Sequence, residues 1–76
     1  MEREIFLIGT RKMHSNKKNQ DYYIVDYIDN KNIPNTDFIS IEEYNRISQK
    51  MKPYTKCKGV FDFNEYKKVY LSDIKA

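Results

Sequence analysis

The sequence predicts a single, mainly β domain of five strands, with one helix between the third and fourth strands. Three observations lead to this prediction. The chain has 76 residues, which is enough for one domain with one small core. Apolar and polar residues alternate over five short stretches, as they do in half-buried strands. One stretch, which begins at Ser40, instead repeats its apolar residues at helical spacing. We therefore treat residues 1–76 as one domain.

The first strand is predicted over Glu4–Met13, where apolar side chains occur on both faces. Gly9 lies in the middle of this strand, a position where a glycine typically marks a bulge or a sharp bend. The residues from His14 to Gln20 are polar throughout, so they predict a loop.

The second strand is predicted over Asp21–Asp29. Asp26 lies on one face of this strand, and burying an unpaired carboxylate is costly, so that face is expected to point to solvent. We therefore expect Tyr23, Val25 and Tyr27 in the core and Tyr22 and Ile24 on the outer surface.

The third strand and the helix follow each other directly. Asn30–Asn35, which contains Pro34, predicts a turn, and Thr36–Ser40 predicts a short strand. Ser40 and Glu43 have the spacing of a capping box, in which each side chain satisfies a backbone donor of the other residue. The helix then presents one apolar stripe and ends before Pro53; its stripe consists of Ile41, Tyr44, Ile47 and Met51.

The last two strands are predicted to form a hairpin. They cover Tyr54–Phe63 and Val69–Ile74, with Asn64–Lys68 as the connection. Lys56 and Lys58 alternate with apolar neighbours, so both are expected to face water.

This order of elements is that of the OB-fold, a five-stranded, partly open barrel. In this fold the second and third strands, with the first-to-second and fourth-to-fifth loops, form the usual surface for oligonucleotides and oligosaccharides. Both loops are basic here. The first contains Lys17 and Lys18, and the second contains Tyr66, Lys67 and Lys68.

The charges are segregated along the chain, although the 14 basic and 11 acidic residues give a net charge of only +3. Residues 11–18 contain four basic residues and no acid, and residues 44–61 contain five basic residues and no acid. If these stretches meet in space, they form a positive groove that attracts polyanions. The alternative is a set of separate solvated faces.

Two stretches of the chain resemble a known family. The basic loop that leads to an aromatic strand, KNQDYYI from Lys18 to Ile24, is the first, and the aromatic-tipped hairpin FDFNEYKKVYL from Phe61 to Leu71 is the second. Together they resemble the small helix-destabilising single-stranded-DNA-binding proteins of phages and mobile elements, including the filamentous-phage type. The resemblance covers roughly residues 19–74. It implies that Tyr22 or Tyr23, and Tyr66 at the hairpin tip, stack on bases, whereas the full helix after Ser40 departs from the filamentous-phage type.

The sequence therefore predicts sequence-independent binding and protection of single-stranded DNA in the replication or transfer of a phage, plasmid or mobile element. Lysine and arginine contact phosphates, and tyrosines stack on unpaired bases. RNA remains open as an alternative, since nothing in the sequence identifies a reader of the 2′-hydroxyl. The candidate phosphate ligands are Arg11, Lys12, Lys17, Lys18, Lys56, Lys58, Lys67 and Lys68, and the candidate stacking residues are Tyr22 and Tyr66, with Tyr54 as a further one.

Other conspicuous residues are expected to be structural. Cys57 is expected to be a small buried apolar residue, and His14 to be an exposed loop residue. Lys67 and Lys68 have the alternative role of protecting a hairpin edge. The expected core aromatics are Tyr23, Tyr27, Phe38, Tyr44 and Phe61.

The motifs argue against an enzyme, and we expect no cofactor and no metal. The chain has no glycine-rich phosphate loop and a single histidine, and a Cys57–His14 pair would need a pocket that a small barrel can scarcely enclose. The acidic pairs Asp26 with Asp29 and Asp62 with Glu65 are weak metal signals.

A protein-interaction module is the competing function. Such a module would use the outer strand face or a sheet edge to bind a host or phage protein, without binding nucleic acid. We expect a homodimer, because the core is small. We also expect a cytoplasmic location without a membrane segment, because the chain has no apolar run of about 20 residues and has a lone cysteine.

Overall fold

The computed structural model describes residues 1–75, which contain one five-stranded antiparallel sheet and one helix. The helix lies between the third and fourth strands in the chain, which confirms the predicted order of elements. Neither the length nor the apolar character of this helix would let it cross a membrane. The elements are β1 (Glu2–Ser15), β2 (Gln20–Ile28), β3 (Pro34–Ile39), α1 (Ile41–Lys50), β4 (Thr55–Phe63) and β5 (Val69–Lys75).

The predicted loop from His14 to Gln20 is wrong at both ends. The ladder between β1 and β2 continues to the pair Ser15 and Gln20, so the turn is confined to residues 16–19. Both faces of the hairpin are solvated here, so polar residues occupy the strand ends. These ends therefore lack the alternation of apolar and polar residues by which a strand is recognised in the sequence. The turn predicted over Asn30–Asn35 is also too long, because β3 already begins at Pro34. Proline is tolerated as the first residue of a strand.

β1 is the central strand and has two partners. Its first half pairs with β4 and its second half with β2, and the two ladders overlap at Phe6 and Leu7. Ile8 is an extra residue between the pairs Leu7–Tyr27 and Gly9–Asp26, so the bulge expected at Gly9 is confirmed. Beyond Leu7, β1 is paired with β2 alone among the residues that the structure describes.

The sheet order is β3-β2-β1-β4-β5, so β3 and β5 are the edge strands. Asp37 of β3 connects these two edges. Its Oδ2 accepts a hydrogen bond from the Tyr27 hydroxyl at 2.7 Å and another from the backbone N–H of Leu71, on β5, at 3.2 Å. We call this pair of hydrogen bonds the Asp37 bridge. It links the edges through a side chain, and within residues 1–75 no backbone ladder joins β3 to β5.

The core lies on the inner face of the curled sheet and beneath α1. Val25, Tyr27, Cys57 and Phe61 are all buried there, as the sequence predicts. The core cluster consists of Ile5, Leu7, Val25, Tyr27, Ile47, Cys57, Phe61, Leu71 and Ile74.

Three of the predicted core aromatics do not belong to this cluster. Tyr23 and Tyr44 are half-buried and pack on each other, with their ring centroids 4.7 Å apart. Phe38 is 76% exposed, so its predicted core position is wrong. The reason is that side chains alternate across a strand, and the inward side chain of Asp37 places Phe38 on the outer face.

Ile24 differs from its prediction in exposure but not in orientation. It lies on the outer face, directly opposite Arg11 on one side and Phe38 on the other. It is nevertheless only 6% exposed. The long side chains that flank it on both neighbouring strands account for this burial.

α1 begins where the sequence predicts, but with one half of the predicted capping box, because the Glu43 carboxylate accepts from Arg46. The Ser40 hydroxyl accepts a hydrogen bond from the Glu43 N–H at 3.1 Å, which confirms Ser40 as the N-cap. Arg46 engages the Glu43 carboxylate at 2.7 Å and also the Asp73 carboxylate. Arg46 further donates to the Ile74 carbonyl oxygen at 2.8 Å, so it fastens the helix to β5.

Gly59 offers a test of core packing. A Cβ at this position would lie 2.9 Å from Leu71 Cδ1, 3.0 Å from Phe61 Cε2 and 3.2 Å from Ile5 Cδ1, all of them atoms of buried side chains. We expect Gly59→Ala to lower the free energy of unfolding by about 1–3 kcal/mol through overpacking. Urea denaturation measures this. Gly9→Ala is the control, because its Cβ would meet nothing closer than Pro53 Cβ at 4.0 Å; an equal loss in both variants would contradict the packing argument.

Tyr27 gives the stability a pH dependence at alkaline pH. Burial, and then the hydrogen bond to Asp37, raise the pKa of its hydroxyl above the usual value. In the unfolded chain a tyrosine loses its proton near pH 10, whereas folded Tyr27 keeps its proton to higher pH. The folded state therefore loses stability as the pH rises above about 10.

The stability difference between the wild type and Tyr27→Phe isolates this effect, because phenylalanine does not titrate. We expect the advantage of the wild type to shrink between about pH 8 and about pH 11 in urea denaturation. A difference that stays constant over this range would show that the folded environment does not hold the proton on Tyr27.

Candidate nucleic-acid interface

The outer face of β2 and β3 carries an exposed pair of aromatic rings. Tyr22 and Phe38 lie on neighbouring strands, with ring centroids 5.7 Å apart and ring planes tilted by 57°. Phe38 is 76% exposed, and Tyr22 is half-buried against it. We call these two side chains the aromatic platform. A large apolar ring at this exposure gains little from folding, which makes it a candidate binding residue.

The local sequence fixes which way the platform faces. Asp37 points inward to the Asp37 bridge, so its neighbour Phe38 must point outward. Tyr23 points toward α1 and packs on Tyr44, so Tyr22 points outward as well. Both rings therefore occupy one face because each has an inward-facing neighbour.

A concavity of about 380 Å³ lies beside the platform, where β1 turns into β2. Lys18 lines this concavity, and Lys17 precedes it in the same turn. The turn is held by a 3.3 Å hydrogen bond from the Lys18 N–H to the Ser15 hydroxyl and by the left-handed conformation of Asn19, with φ 47°. The lining residues are Ser15, Lys18, Gln20, Asp21, Tyr22 and Phe38.

Arg11 lies on the same face as the platform, but its charge is compensated. Its Nε and Nη2 donate to the two carboxylate oxygens of Asp26, at 2.8 and 3.1 Å. The Thr36 hydroxyl donates to the same carboxylate at 2.6 Å. The Arg11 guanidinium holds the pKa of Asp26 below its usual range. The centre of the face is therefore close to neutral.

Lys12 lies on the opposite face from Tyr22, because it pairs with Tyr23. Its Nζ is 3.5 Å from one oxygen of the Asp21 carboxylate, and His14 Nδ1 is 2.8 Å from the other. The hydrogen bond with His14, and then the charge of Lys12, lower the pKa of Asp21. Of the predicted phosphate ligands, Lys12 is thus turned away from the aromatic platform.

Lys56 and Lys58 face water, as the sequence predicts. They lie on β4, opposite Phe6 and Glu4 of the first half of β1. The ladders place them beside β1 rather than beside β2 and β3. Glu4 lines a concavity with both lysines, which offsets part of their charge.

The tip of the β4–β5 hairpin carries the remaining predicted residues. Tyr66 is 75% exposed, and the Asn64 Oδ1 orders the turn by accepting the backbone N–H of Tyr66 at 2.9 Å and of Lys68 at 3.0 Å. Lys67 adopts φ 59°, which completes the turn. Because β4 runs antiparallel to β1, this tip lies at the end of the sheet opposite the β1–β2 turn. The structure thus does not bring Tyr66 next to Tyr22.

The distribution of ion pairs separates the predicted phosphate ligands into two groups. Arg11 and Lys12 each pair with a carboxylate. No ion pair within residues 1–75 involves the other six, which are Lys17, Lys18, Lys56, Lys58, Lys67 and Lys68. These six lysines have no direct ion-pair partner among the described residues, although Glu4 lies near Lys56 and Lys58.

The residues considered for catalysis or metal binding are dispersed. Cys57 is buried in the core, where burial raises the pKa of its thiol. His14 is exposed at the far end of β1, so the two do not form a pair. Within the described part of the chain, no group of three or more His, Cys, Asp or Glu side chains is placed to hold a metal ion.

Two exposed aromatic residues are more prominent in the structure than the sequence suggests. The sequence predicts Phe38 in the core and gives Tyr54 only as a further candidate. Phe38 lies instead on the outer face, and Tyr54 is 71% exposed and adopts φ 58°.

Comparisons with protein-family models, curated proteins and solved structures find no match for this chain. A function is therefore inferred from the geometry of the aromatic platform and of the lysines around it.

Proposed function

We propose that this chain is an OB-fold-like module that binds single-stranded DNA without sequence preference, on the outer face of β2 and β3. The order of the elements, with α1 between β3 and β4, supports the fold part of the proposal, because it is the order of the OB-fold. The Leu71 bond of the Asp37 bridge also brings the edge strands β3 and β5 together, as expected in a partly open barrel.

The aromatic platform is the observation that carries the proposal. Tyr22 and Phe38 offer two adjacent ring surfaces on the outer face of the sheet. Stacking of a base on such a ring contributes about 1–3 kcal/mol, and every base has a face to stack. A duplex keeps its base faces inside, so the platform favours single strands.

The charges supply the second part of the binding energy. Lys17 and Lys18 lie at the end of the sheet next to the platform and have no carboxylate partner within residues 1–75. They are placed for phosphates, whereas the neutral Arg11–Asp26 pair occupies the centre of the face. Bases therefore lie over the centre of the face and phosphates along its rim.

The same ion pair explains why no sequence preference is expected. Both oxygens of Asp26 already accept hydrogen bonds, from Arg11 and from Thr36. Three of the roughly four acceptor positions of this carboxylate are therefore occupied, which leaves it little capacity to read the edge of a base. The hairpin tip, with Tyr66, Lys67 and Lys68, provides a second contact that a longer strand reaches at the other end of the sheet.

Titration with labelled oligo(dT) of about 12 nucleotides, and with a duplex of equal length, tests the proposal. We expect the single strand to bind more tightly than the duplex. The logarithm of its affinity should fall against the logarithm of salt concentration, with a slope of about 0.7 per phosphate contacted. Equal or absent binding of both, or no salt dependence, would overturn the proposal and leave the protein-interaction module as the better function.

The platform itself is tested by Phe38→Ala and Tyr22→Ala. Each removes one stacking surface, so we expect a loss of about 5-fold or more in affinity for oligo(dT). Tyr22→Phe keeps the ring and serves as the matched control. Phe38 is exposed, so its truncation leaves the core intact and circular dichroism should be unchanged. Unchanged affinity in both alanine variants would place the bound strand elsewhere.

A further inference from the structure

We infer that a groove beside Tyr54 is an additional base-binding position, into which the bound strand continues from the aromatic platform. This inference rests on the proposed single-strand binding and extends it to a part of the chain outside β2 and β3. Its basis is the shape of the groove, its continuity with the platform, and the charge around it.

The groove has a volume of about 440 Å³ and lies along the second half of β1. One wall is the bulged segment of β1, and the other is formed by the end of α1 and the residues that follow it. Tyr54 lies at this second wall and is 71% exposed. The residues that matter to the argument are Ile8, Gly9, Arg11, Met51, Pro53 and Tyr54.

The groove exists because β4 leaves β1 early. The β1–β4 ladder ends at the pair of Leu7 and Thr55, next to the extra residue Ile8. From there on, β1 has β2 on one side and the groove on the other. Pro53 faces Gly9 across the groove, since a Cβ at Gly9 would lie 4.0 Å from Pro53 Cβ.

The groove is continuous with the platform through one ion pair. Arg11 and Asp26 line the groove, and they also lie on the outer face of the sheet. Arg11 is directly opposite Ile24, which is in turn opposite Phe38. A strand whose base stacks on Phe38 therefore crosses the neutral Arg11–Asp26 pair and reaches Tyr54.

The charge around the groove favours a nucleic acid over an apolar peptide. Residues 44–61 contain five basic residues and no carboxylate. Lys50 and Lys52 flank Met51 of the groove wall, are exposed, and form no ion pair within residues 1–75. Asp26 is the acid in the lining, and Arg11 already engages it. The ring of Tyr54 and the apolar walls can bind a base, and the nearby lysines can bind its phosphates.

The backbone conformation of Tyr54 also supports a binding role for the groove. Its φ of 58° lies in the left-handed region, which a residue with a bulky side chain rarely adopts. Burial does not explain this conformation, because the side chain is 71% exposed. Strained backbone conformations cluster at functional sites, and Tyr54 has one beside the groove.

Fluorescence anisotropy with labelled oligo(dT) of about 12 nucleotides tests this inference through Tyr54→Leu. We expect about a ten-fold loss of affinity, because leucine removes the ring and keeps apolar bulk. Tyr54→Phe should bind like the wild type. Tyr70→Leu is the matched control, since it removes a partly exposed tyrosine from β5, on another part of the sheet, and should leave affinity unchanged.

Amide chemical shifts locate the effect independently of the variants. On addition of the same oligo(dT) to the wild type, the amides of Gly9 and Ser48 should shift, since both residues line the groove. Unchanged affinity of Tyr54→Leu, or unshifted amides at both positions, would overturn the groove while the platform stands. Failure of the wild type to bind oligo(dT) at all would overturn the proposed function itself.

Discussion

The Asp37 bridge is the interaction on which the rest of the surface depends. A carboxylate that points into a sheet must find donors, because leaving it unsatisfied costs several kcal/mol, on the order of 2–7 for a polar group. Tyr27 and the backbone of Leu71 supply them, one from the neighbouring strand and one from the opposite edge of the sheet. The bridge thereby draws β3 toward β5 and fixes which face of β3 is inside. A shift of one residue would bury Phe38 and expose Asp37, and the aromatic platform would be lost.

The division of β1 between two partners explains the remaining shape of the molecule. The bulge at Ile8 lies where β1 passes from β4 to β2 as its partner, and a bulge bends its strand. The bend lets the sheet curl, so that Asp37 of β3 reaches the backbone of Leu71 on β5. It gives β2 and β3 an outer face of their own, and it leaves one edge of β1 free beside Tyr54.

The sequence predicts those features that local chemistry determines. Ser40 caps a helix because its hydroxyl meets the Glu43 amide within one turn, and Gly9 marks the bulge because the chain must deform there. Phe38 could not be predicted in the same way. A carboxylate without a nearby donor is expected to face solvent, as Asp26 is, and the same expectation applies to Asp37. The donors that allow Asp37 to point inward lie 10 and 34 residues away in the chain, so the local sequence does not reveal them. The groove beside Tyr54 depends likewise on where β4 leaves β1, which no local pattern encodes.

Ion pairing determines which basic residues contribute to the positive field around the molecule. Arg11, Lys12, Arg46 and Lys75 are each matched by a carboxylate in the fold, so these cations add little to the field around the molecule. The unmatched lysines lie mainly in turns and at strand ends, as Lys17, Lys18, Lys67 and Lys68 do. The cations without an ion-pair partner therefore lie mainly at the rim of the sheet, while Arg11 on the face with Tyr22 and Phe38 is paired with Asp26. In the proposed function, the phosphates of a single strand would meet this rim and its bases would meet the rings. The net charge of +3 by itself does not reveal this separation of charges and rings.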